Sequence, residues 1–588
     1  MGWAGNGMAE AVEYTNPTLL ASTEWLQKNL AANDLAIIDA RLTGYAAAHI
    51  PGAIHLDYRD LRTERGIKPV DELQAFLSAT GLRNDATFVI YDDARASRGA
   101  AGWIFWVLEY LGCKNVRLLN GGFDKWTWEK RPTNADVPIK RAGKFVASAN
   151  DAVLSHLDQV KSPNDRPMML IDARGDAEYN GWPLDGVTRG GHIPGALNID
   201  YSWFYAKDKT ILNAEEIKAL LDLRNATPDK EMIVYGSTGL RAGFIYFVLR
   251  LMGYSRVSNY DGAALEWSNI PDLPMDKLAR YEKLVHPGWV KELIDGKHPV
   301  GYSGKGFVIL ESRYTGFSTS QPGQVEAGAS YIPGAIAVHP CYFESGNDTS
   351  KYYPNYTTPQ NGNLMADDKL QTAIAALGIT KDTTVVVYGN GKIIPMTSAR
   401  VAWALMYAGV EDVRILNGGF SAWMAEGYPV ATTPASWKPA IDFGAKVPVH
   451  PEYLATTDQV SEISNGKNKG SVLVDVRKIE EYVGKECPYP FFDKKGHIPG
   501  AIWNGDYWIL VDKNDDTWRS YTEIRQLWEK LGITPGVEPI FYCGTAWRST
   551  VGFFHAYLMG YDRLRNYDDS FYGWSFNPKN PLAFNAPN

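Results

Sequence analysis

His49-Ile50-Pro51-Gly52-Ala53 returns as His192-Ile193-Pro194-Gly195-Ala196, as Tyr331-Ile332-Pro333-Gly334-Ala335 and as His497-Ile498-Pro499-Gly500-Ala501. The four copies stand at domain-sized intervals. The chain therefore reads as an array of whole domains and not as a solenoid of short units. In each copy proline fixes φ and glycine permits a reversal, so the phrase is a tight turn feeding a strand.

The neighbours of the phrase recur with it. Upstream, an apolar run ends in an acid: Asp39, Asp172, Glu311 or Asp475. An arginine follows two residues later: Arg41, Arg174, Arg313 or Arg477. Downstream, a second apolar run ends in Tyr91, Tyr235, Tyr388 or Tyr542, followed by a loop and a helical stretch. Beyond that come a turn and a tryptophan, Trp126, Trp267, Trp423 or Trp574. In the last helix, Val551, Phe554 and Leu558 share one face. Short apolar strands alternating with helices predict an α/β fold: four tandem domains, each a mainly parallel sheet flanked by helices. The predicted domains are 15–135, 148–275, 285–432 and 446–588. Linkers rich in Pro, Lys and Thr lie near 132–148, 270–290 and 430–450.

Bulk composition narrows the function. The 588 residues are 45% hydrophobic and 21% charged, ordinary for globular domains. A net charge of −8 offers no basic face for general nucleic-acid binding. No apolar run is long enough to insert in a membrane. The four cysteines, Cys113, Cys341, Cys487 and Cys543, include no C-x-x-C pair, which argues against structural zinc and against a disulfide framework. The segment 512–516, with Glu523, has the acidic spacing of a calcium loop but lacks its glycine, and reads as a polar turn. Residues 1–16 lack the basic-then-apolar pattern of a signal peptide.

The stretch Tyr45-Ala-Ala-Ala-His49-Ile-Pro-Gly-Ala53-Ile-His-Leu56 resembles the N-terminal signature of the rhodanese family, and the Asp-x-Arg strand and the Asn-Gly-Gly turn with its tryptophan fit that family too. The resemblance covers all four repeats. It implies that the loop after the tyrosine-ended strand is the active site, in the form Cys, four residues, Arg. Here that loop is Cys543-Gly544-Thr545-Ala546-Trp547-Arg548, similar to multidomain thiosulfate sulfurtransferases whose loop reads C-G-T-x-W-R. Cys543 is then the sulfur-carrying nucleophile. Gly544, Thr545, Ala546, Trp547 and Arg548 form the substrate-binding set, and Asp475 and Arg477 support the loop through an ion pair.

The residue types suit such chemistry. A strand end followed by a helix N-terminus gathers backbone N–H groups into a nest for anions. Gly544 permits an otherwise strained backbone. Arg548 supplies a cation for the thiolate or for an anionic donor, and Trp547 is positioned to wall the pocket. The expected partners are a small anionic sulfur donor, a thiol or cyanide acceptor and, in a carrier role, a protein acceptor. No metal or organic cofactor is implied. His497 and His555 read as structural.

The other three loops carry no thiol. Repeat one has Asp92 and Asp93, two carboxylates expected to repel an anion. Repeat two, Gly236-Ser237-Thr238-Gly239-Leu240-Arg241, keeps the loop length and the arginine, and so retains an expected capacity for an anion. Repeat three runs from Gly389 through a longer loop to Arg400. The first three domains are thus expected to be inactive, and the resemblance to tandem rhodaneses, in which an inactive domain precedes the active one, implies that three packs on four and that one and two form another pair. Repeat four carries an insertion, 484–495, holding Cys487 and several aromatic residues, placed to cover the site. Two rival functions remain at this point. A phosphatase or arsenate reductase is disfavoured because those folds space Cys and Arg by five residues. A non-catalytic sulfur-carrier or binding array is the second. The 19 tryptophans, the 33 tyrosines and the likeness to exported multidomain members lead to an expected periplasmic location.

Overall fold

The computed structural model describes residues 12–64, 66–136, 143–161, 168–313, 328–346, 357–391 and 394–587. Part of the first expected linker, 137–142, lies outside them. The chain divides into two compact units, Met1–Lys277 and Leu278–Asn588, and each holds two five-stranded sheets.

All four sheets share one topology. Across each sheet the strands run first, fifth, fourth, second, third. In the last domain these are Leu454–Ala455, Arg565–Tyr567, Glu538–Tyr542, Ser471–Asp475 and Ile502–Trp503, and every pairing is parallel. The tyrosine-ended strand is central, covered on both faces, which is why it reads as a continuous apolar run.

The repeated phrases are explained by a set of bonds made in every domain. Acid and tyrosine sit opposite one another in register, as Asp39 to Tyr91, Asp172 to Tyr235, Glu311 to Tyr388 and Asp475 to Tyr542. The tyrosine hydroxyl accepts the amide of the turn isoleucine: Ile50, Ile193, Ile332 and Ile498 at 3.0–3.2 Å. The tryptophan indole donates to a proline carbonyl further on, of Pro132, Pro274, Pro429 and Pro581 respectively. The segment after that proline returns to pair with the first residue of the phrase, as His497 does with Ala583. Each motif thus ties down the next, and the four come as a set.

The domains pair as expected within each unit. In the first unit, helices Ala100–Tyr110 and Leu240–Leu251 cross closely. A β-carbon on Gly102 would lie 2.4 Å from Phe244 Cα, and one on Gly243 would lie 2.4 Å from Trp103 Cα. In the second unit, helix Ile394–Ala408 packs on Arg548–Leu558. That contact corrects the expectation of a one-faced helix. Residues Ser549 to Ala556 are all buried, because the helix is covered by its own sheet on one side and by the third domain on the other. Among the described residues no helix is long and apolar enough to cross a membrane. Asp512 and Asp515 accept the backbone N–H groups of Asn514 and Thr517, so this segment is the polar turn expected.

Candidate functional site around Cys543

Cys543 directly follows the central strand of the fourth sheet, and helix Arg548–Leu558 begins five residues later. The residue is 1% exposed. Its loop is clamped by the start of helix Ser570–Phe576. The Ser570 Oγ accepts the N–H of Cys543 at 3.0 Å and that of Ala546 at 3.1 Å. The N–H groups of Phe571 and Tyr572 donate to the carbonyls of Cys543 and Gly544, each at 3.0 Å. Ser570 itself has φ 52°, in the left-handed region. Its equivalents are Gly122 at 53°, Ala263 at 57° and Gly419 at 52°, so every domain bends here and only the fourth places a hydroxyl at the bend.

The loop backbone departs from expectation at Gly544. The left-handed residue is Ala546, with φ 60°, and not Gly544. Glycine is needed at 544 for a different reason: a β-carbon there would stand 1.9 Å from the hydroxyl of Tyr489. Tyr489 belongs to the insertion 484–495, which does lie over the loop. Its ring stacks on Phe492 at 4.8 Å, and Phe492 packs at 5.3 Å from Tyr572, in the clamping helix. Cys487, Tyr489, Phe491, Phe492 and Lys495 line an open groove of about 560 Å³ on this insertion. The Cys487 thiol is half-buried, donates to the Phe492 carbonyl at 3.3 Å, and is pushed up by burial.

Arg548 is not free to hold an anion alone. Its guanidinium binds Glu481 in bidentate fashion, at 2.7 and 2.9 Å, and also donates to the Tyr489 hydroxyl. Burial by itself would raise the Glu481 pKa; the Arg548 hydrogen bonds and charge outweigh it and hold the carboxyl below its ordinary range. Tyr489 and Arg548 both lie near enough to Cys543 to sense a charge on its sulfur. Trp547 departs from its expected place among the substrate-binding residues. Its indole is buried, donates to Glu344 Oε1 at 2.7 Å and meets the His339 ring edge-on at 6.2 Å. Thr545 remains partly exposed at the loop.

Arg477 pairs with Asp475 at 2.6 Å and donates to the Gly496 carbonyl at 2.8 Å. The same pair stands at Arg41–Asp39, Arg174–Asp172 and Arg313–Glu311. It anchors the turn before Ile498, whether or not a cysteine follows. His497 is stacked on Tyr482 at 3.7 Å with Nδ1 2.8 Å from the Tyr482 carbonyl, and His555 places Nε2 2.8 Å from the Leu510 carbonyl, so both are structural.

Side chains of the cysteine-free loops bond within their own domains in repeats one and two. In repeat one, repulsion is not the main feature. The Asp92 carboxylate turns inward and accepts the N–H groups of Ala94 at 2.9 Å and Ala101 at 3.0 Å, filling the place of an anion. In repeat two, Arg241 donates to Glu178 at 2.7 Å and pairs with Asp185 at 3.0 Å, so its charge is met by two carboxylates. Glu178 and Glu481 hold equivalent places, six residues after Asp172 and Asp475. In repeat three the strand runs on to Asn390, which donates to Glu311 at 2.7 Å. Arg400 is not a loop residue at all. It lies inside helix Ile394–Ala408 and reaches Asp568 of the fourth domain at 2.6 Å. Residues 392 and 393 of the longer loop lie outside the described residues.

Glu481, Tyr489 and Ser570 are the site residues that the sequence reading did not single out. Glu481 had a signal, the matching glutamate of repeat two. Ser570 had one as well, as the only hydroxyl among the four equivalent positions. Among the described residues no cluster of side chains is suited to a metal ion.

Comparison with known proteins agrees with this geometry. The chain is 31% identical to thiosulfate sulfurtransferase YnjE of Escherichia coli over 73% of its own length and 91% of the relative's. It is 35% identical to the sulfur carrier protein TtuD of Thermus thermophilus over 45% of its length and 98% of that protein's. Among solved structures, wild-type EanB superimposes with a TM-score of 0.66 at 30% identity, covering 74% of this chain and 98% of EanB. A variant of EanB, at TM-score 0.65 and 29% identity over 74% of this chain and all of that one, was solved with ergothioneine covalently linked to a persulfide cysteine. The rhodanese-like domain family matches residues 22–129, 156–270, 280–426 and 456–577, and with four such matches spread over the whole chain, the protein belongs to the rhodanese family.

Proposed function

We propose that this protein is a sulfurtransferase that carries sulfane sulfur as a persulfide on Cys543. The observation that carries the reading is the contrast between loops. Of four equivalent strand-end positions, three hold Asp92, Gly236 and Gly389, and the arginine–glutamate pair is shared by repeats two and four. The fourth alone presents a thiol, beside the N–H groups that open helix Arg548–Leu558. Names and structures of relatives support sulfur transfer as the class of reaction. In this reading the domains are 15–135, 148–275, 285–432 and 446–588, the first three inactive and the fourth catalytic.

The reaction is a double displacement. The Cys543 thiolate attacks the outer sulfur of thiosulfate or a related donor. The bond between the two donor sulfurs breaks, and sulfite leaves with the bonding pair. The persulfide left on Cys543 is then attacked at its outer sulfur by a thiolate or by cyanide, and the S–S electrons return to Cys543 as thiolate. Because Arg548 is already paired with Glu481 and Ser570 takes the amides of Cys543 and Ala546, the oxyanion of a donor is met by the other backbone N–H groups of the loop and helix start, with Thr545 at the open side. That pairing keeps uncharged and polysulfide donors in play alongside thiosulfate. A periplasmic location belongs to the same reading and is checked by cell fractionation.

Intact mass spectrometry after incubation with thiosulfate, polysulfide or 3-mercaptopyruvate tests the proposal. The wild type should gain about 32 Da, one sulfur, and Cys543→Ala should gain none. No gain with any donor overturns the enzyme reading and leaves a binding array.

A further inference from the structure

We infer that Glu344 and Arg400, both in the cysteine-free third domain, are positioning residues for the Cys543 loop; the inference rests on the reading of Cys543 as the sulfur carrier. Glu344 Oε1 accepts two bonds, from Trp547 Nε1 at 2.7 Å and from Arg400 Nε at 2.9 Å. Arg400 Nη1 goes on to Asp568 Oδ1 at 2.6 Å. Trp547 is in the loop, and Asp568 lies two residues before Ser570, whose hydroxyl holds the amides of Cys543 and Ala546. One ion pair from the third domain therefore grips both shoulders of the loop.

The first unit supplies a control for this arrangement. Arg400 and Trp103 are each the twelfth residue after the strand-ending tyrosine. Asp568 and Asp261 are equivalent, and each accepts a backbone amide from the partner domain, of Leu364 and Ile67 respectively. Glu344 bridges to Leu364 as Arg62 pairs with Ile67, so Glu344 stands where the first unit has Arg62. Trp547 stands where that unit has Leu240, which has no donor. The first unit thus docks its two domains through Asp261 with a tryptophan indole, Trp103 Nε1, at 3.0 Å.

Charge at this position is common to both units, since Arg62 lies close enough to Asp261 to favour its ionised form. Glu344 and Arg400 are fully buried, with side chains 0% and 1% exposed. Burying such groups costs free energy that an apolar replacement avoids. What the second unit adds, and the first lacks at Leu240, is a directed side-chain bond to the loop itself. Geometry at a reacting group is sensitive to displacements well under the length of a bond.

The test uses the full chain and four variants: Trp547→Phe, Glu344→Ala, Glu344→Gln and, in the first unit, Trp103→Phe. Steady-state sulfur transfer, thermal midpoint and hydrogen exchange of the peptide spanning 543–550 are measured for each. Trp547→Phe keeps the ring and removes the N–H. It should lower kcat about five- to tenfold with KM for the donor unchanged, and speed exchange in 543–550. Glu344→Ala should do the same, and Glu344→Gln, which keeps an acceptor, should recover most of the rate. Trp103→Phe should leave kcat and exchange in 543–550 at wild-type values. Wild-type kcat and exchange in Trp547→Phe overturn the inference, as does a kcat loss in Trp103→Phe as large as that in Trp547→Phe. Should Trp547→Phe fail to fold, Glu344→Gln against Glu344→Ala decides: equal kcat in the two overturns it. A wild type that takes no sulfur from any donor defeats the functional reading instead, and the exchange comparison then still decides whether the third domain holds the loop.

Discussion

The hydroxyl of Tyr489 occupies the space that a β-carbon on Gly544 would fill, 1.9 Å from where that carbon would stand. The insertion of the fourth domain and the second residue of the cysteine loop are therefore fitted to each other. Gly544→Ala meets no left-handed backbone, since φ there is not positive, so its cost falls on Tyr489. The variant should push the phenol off Arg548 and reduce the rate of persulfide formation about tenfold. In a Tyr489→Ala background the same alanine no longer meets the phenol and should change the rate by less than about twofold. The double-mutant cycle reads this coupling directly, and additive effects would show that the two residues are independent.

Ser570 bears on the same loop from below. Its hydroxyl is the acceptor for two buried amides, those of Cys543 and Ala546. Ser570→Ala strands both and should cost about 1–3 kcal/mol in the stability of the fourth domain, the penalty of an unsatisfied buried donor. It should also slow persulfide formation. Ser570→Gly relaxes the left-handed φ of 52° yet loses the same acceptor. It should be the more stable of the two and equally slow. Thermal midpoints together with the single-turnover rate separate strain from positioning.

The fold was legible because each repeated motif is one end of a bond. Acid and tyrosine recur because they face each other in register, and the proline-glycine turn recurs because the tyrosine hydroxyl takes its isoleucine amide. The cysteine loop was legible because one repeat alone carries a thiol at the strand end. What the sequence did not disclose were partners far apart in the chain. Arg548 reads as a free cation until Glu481, 67 residues away, is seen bound to it. Trp547 reads as a pocket wall until Glu344, 203 residues away, takes its indole N–H. Arg400 looked like the end of a loop although Pro395, in the first turn of its helix, marks where that helix begins, and its true partner, Asp568, is in another domain. Glycine at 544 suggested strain because glycine usually marks it; here it marks a close approach.

The Asp475–Arg477 pair should behave as part of the frame. Arg477 and Arg174 make the same 2.6 Å contact to their aspartates, with side chains 2% and 0% exposed. Removing one member of a buried pair strands the other, at about 3–5 kcal/mol. Arg477→Met and Arg174→Met should therefore lower the midpoint of their own units by similar amounts, followed by exchange of peptides from each unit. A loss confined to Arg477→Met would show that this pair carries something specific to the cysteine domain.

Acid should act on the protein in two steps. His192, His339 and His555 are buried and held neutral, with pKa values pulled down from 6.5 to about 4 by burial. Their folded pKa is below the unfolded one, so the unfolded chain takes up protons first. Stability is then full above pH 6.5 and declines as pH falls from 6.5 toward 4. Glu481 adds a second step. Burial opposes its ionisation but Arg548 prevails and lowers its pKa, so its contribution is present above the ordinary value of 4.5 and is lost as pH falls through the lower folded value. Glu481→Gln should weaken only the second step, which Glu178 shares, since burial raises its pKa but Arg241 prevails and lowers it to about 2, and His555→Gln should weaken only the first. Thermal midpoints between pH 3.5 and 8 resolve the two. A wild-type profile flat from 6.5 to 4 would mean that these histidines take up protons in the folded protein as readily as in the unfolded chain.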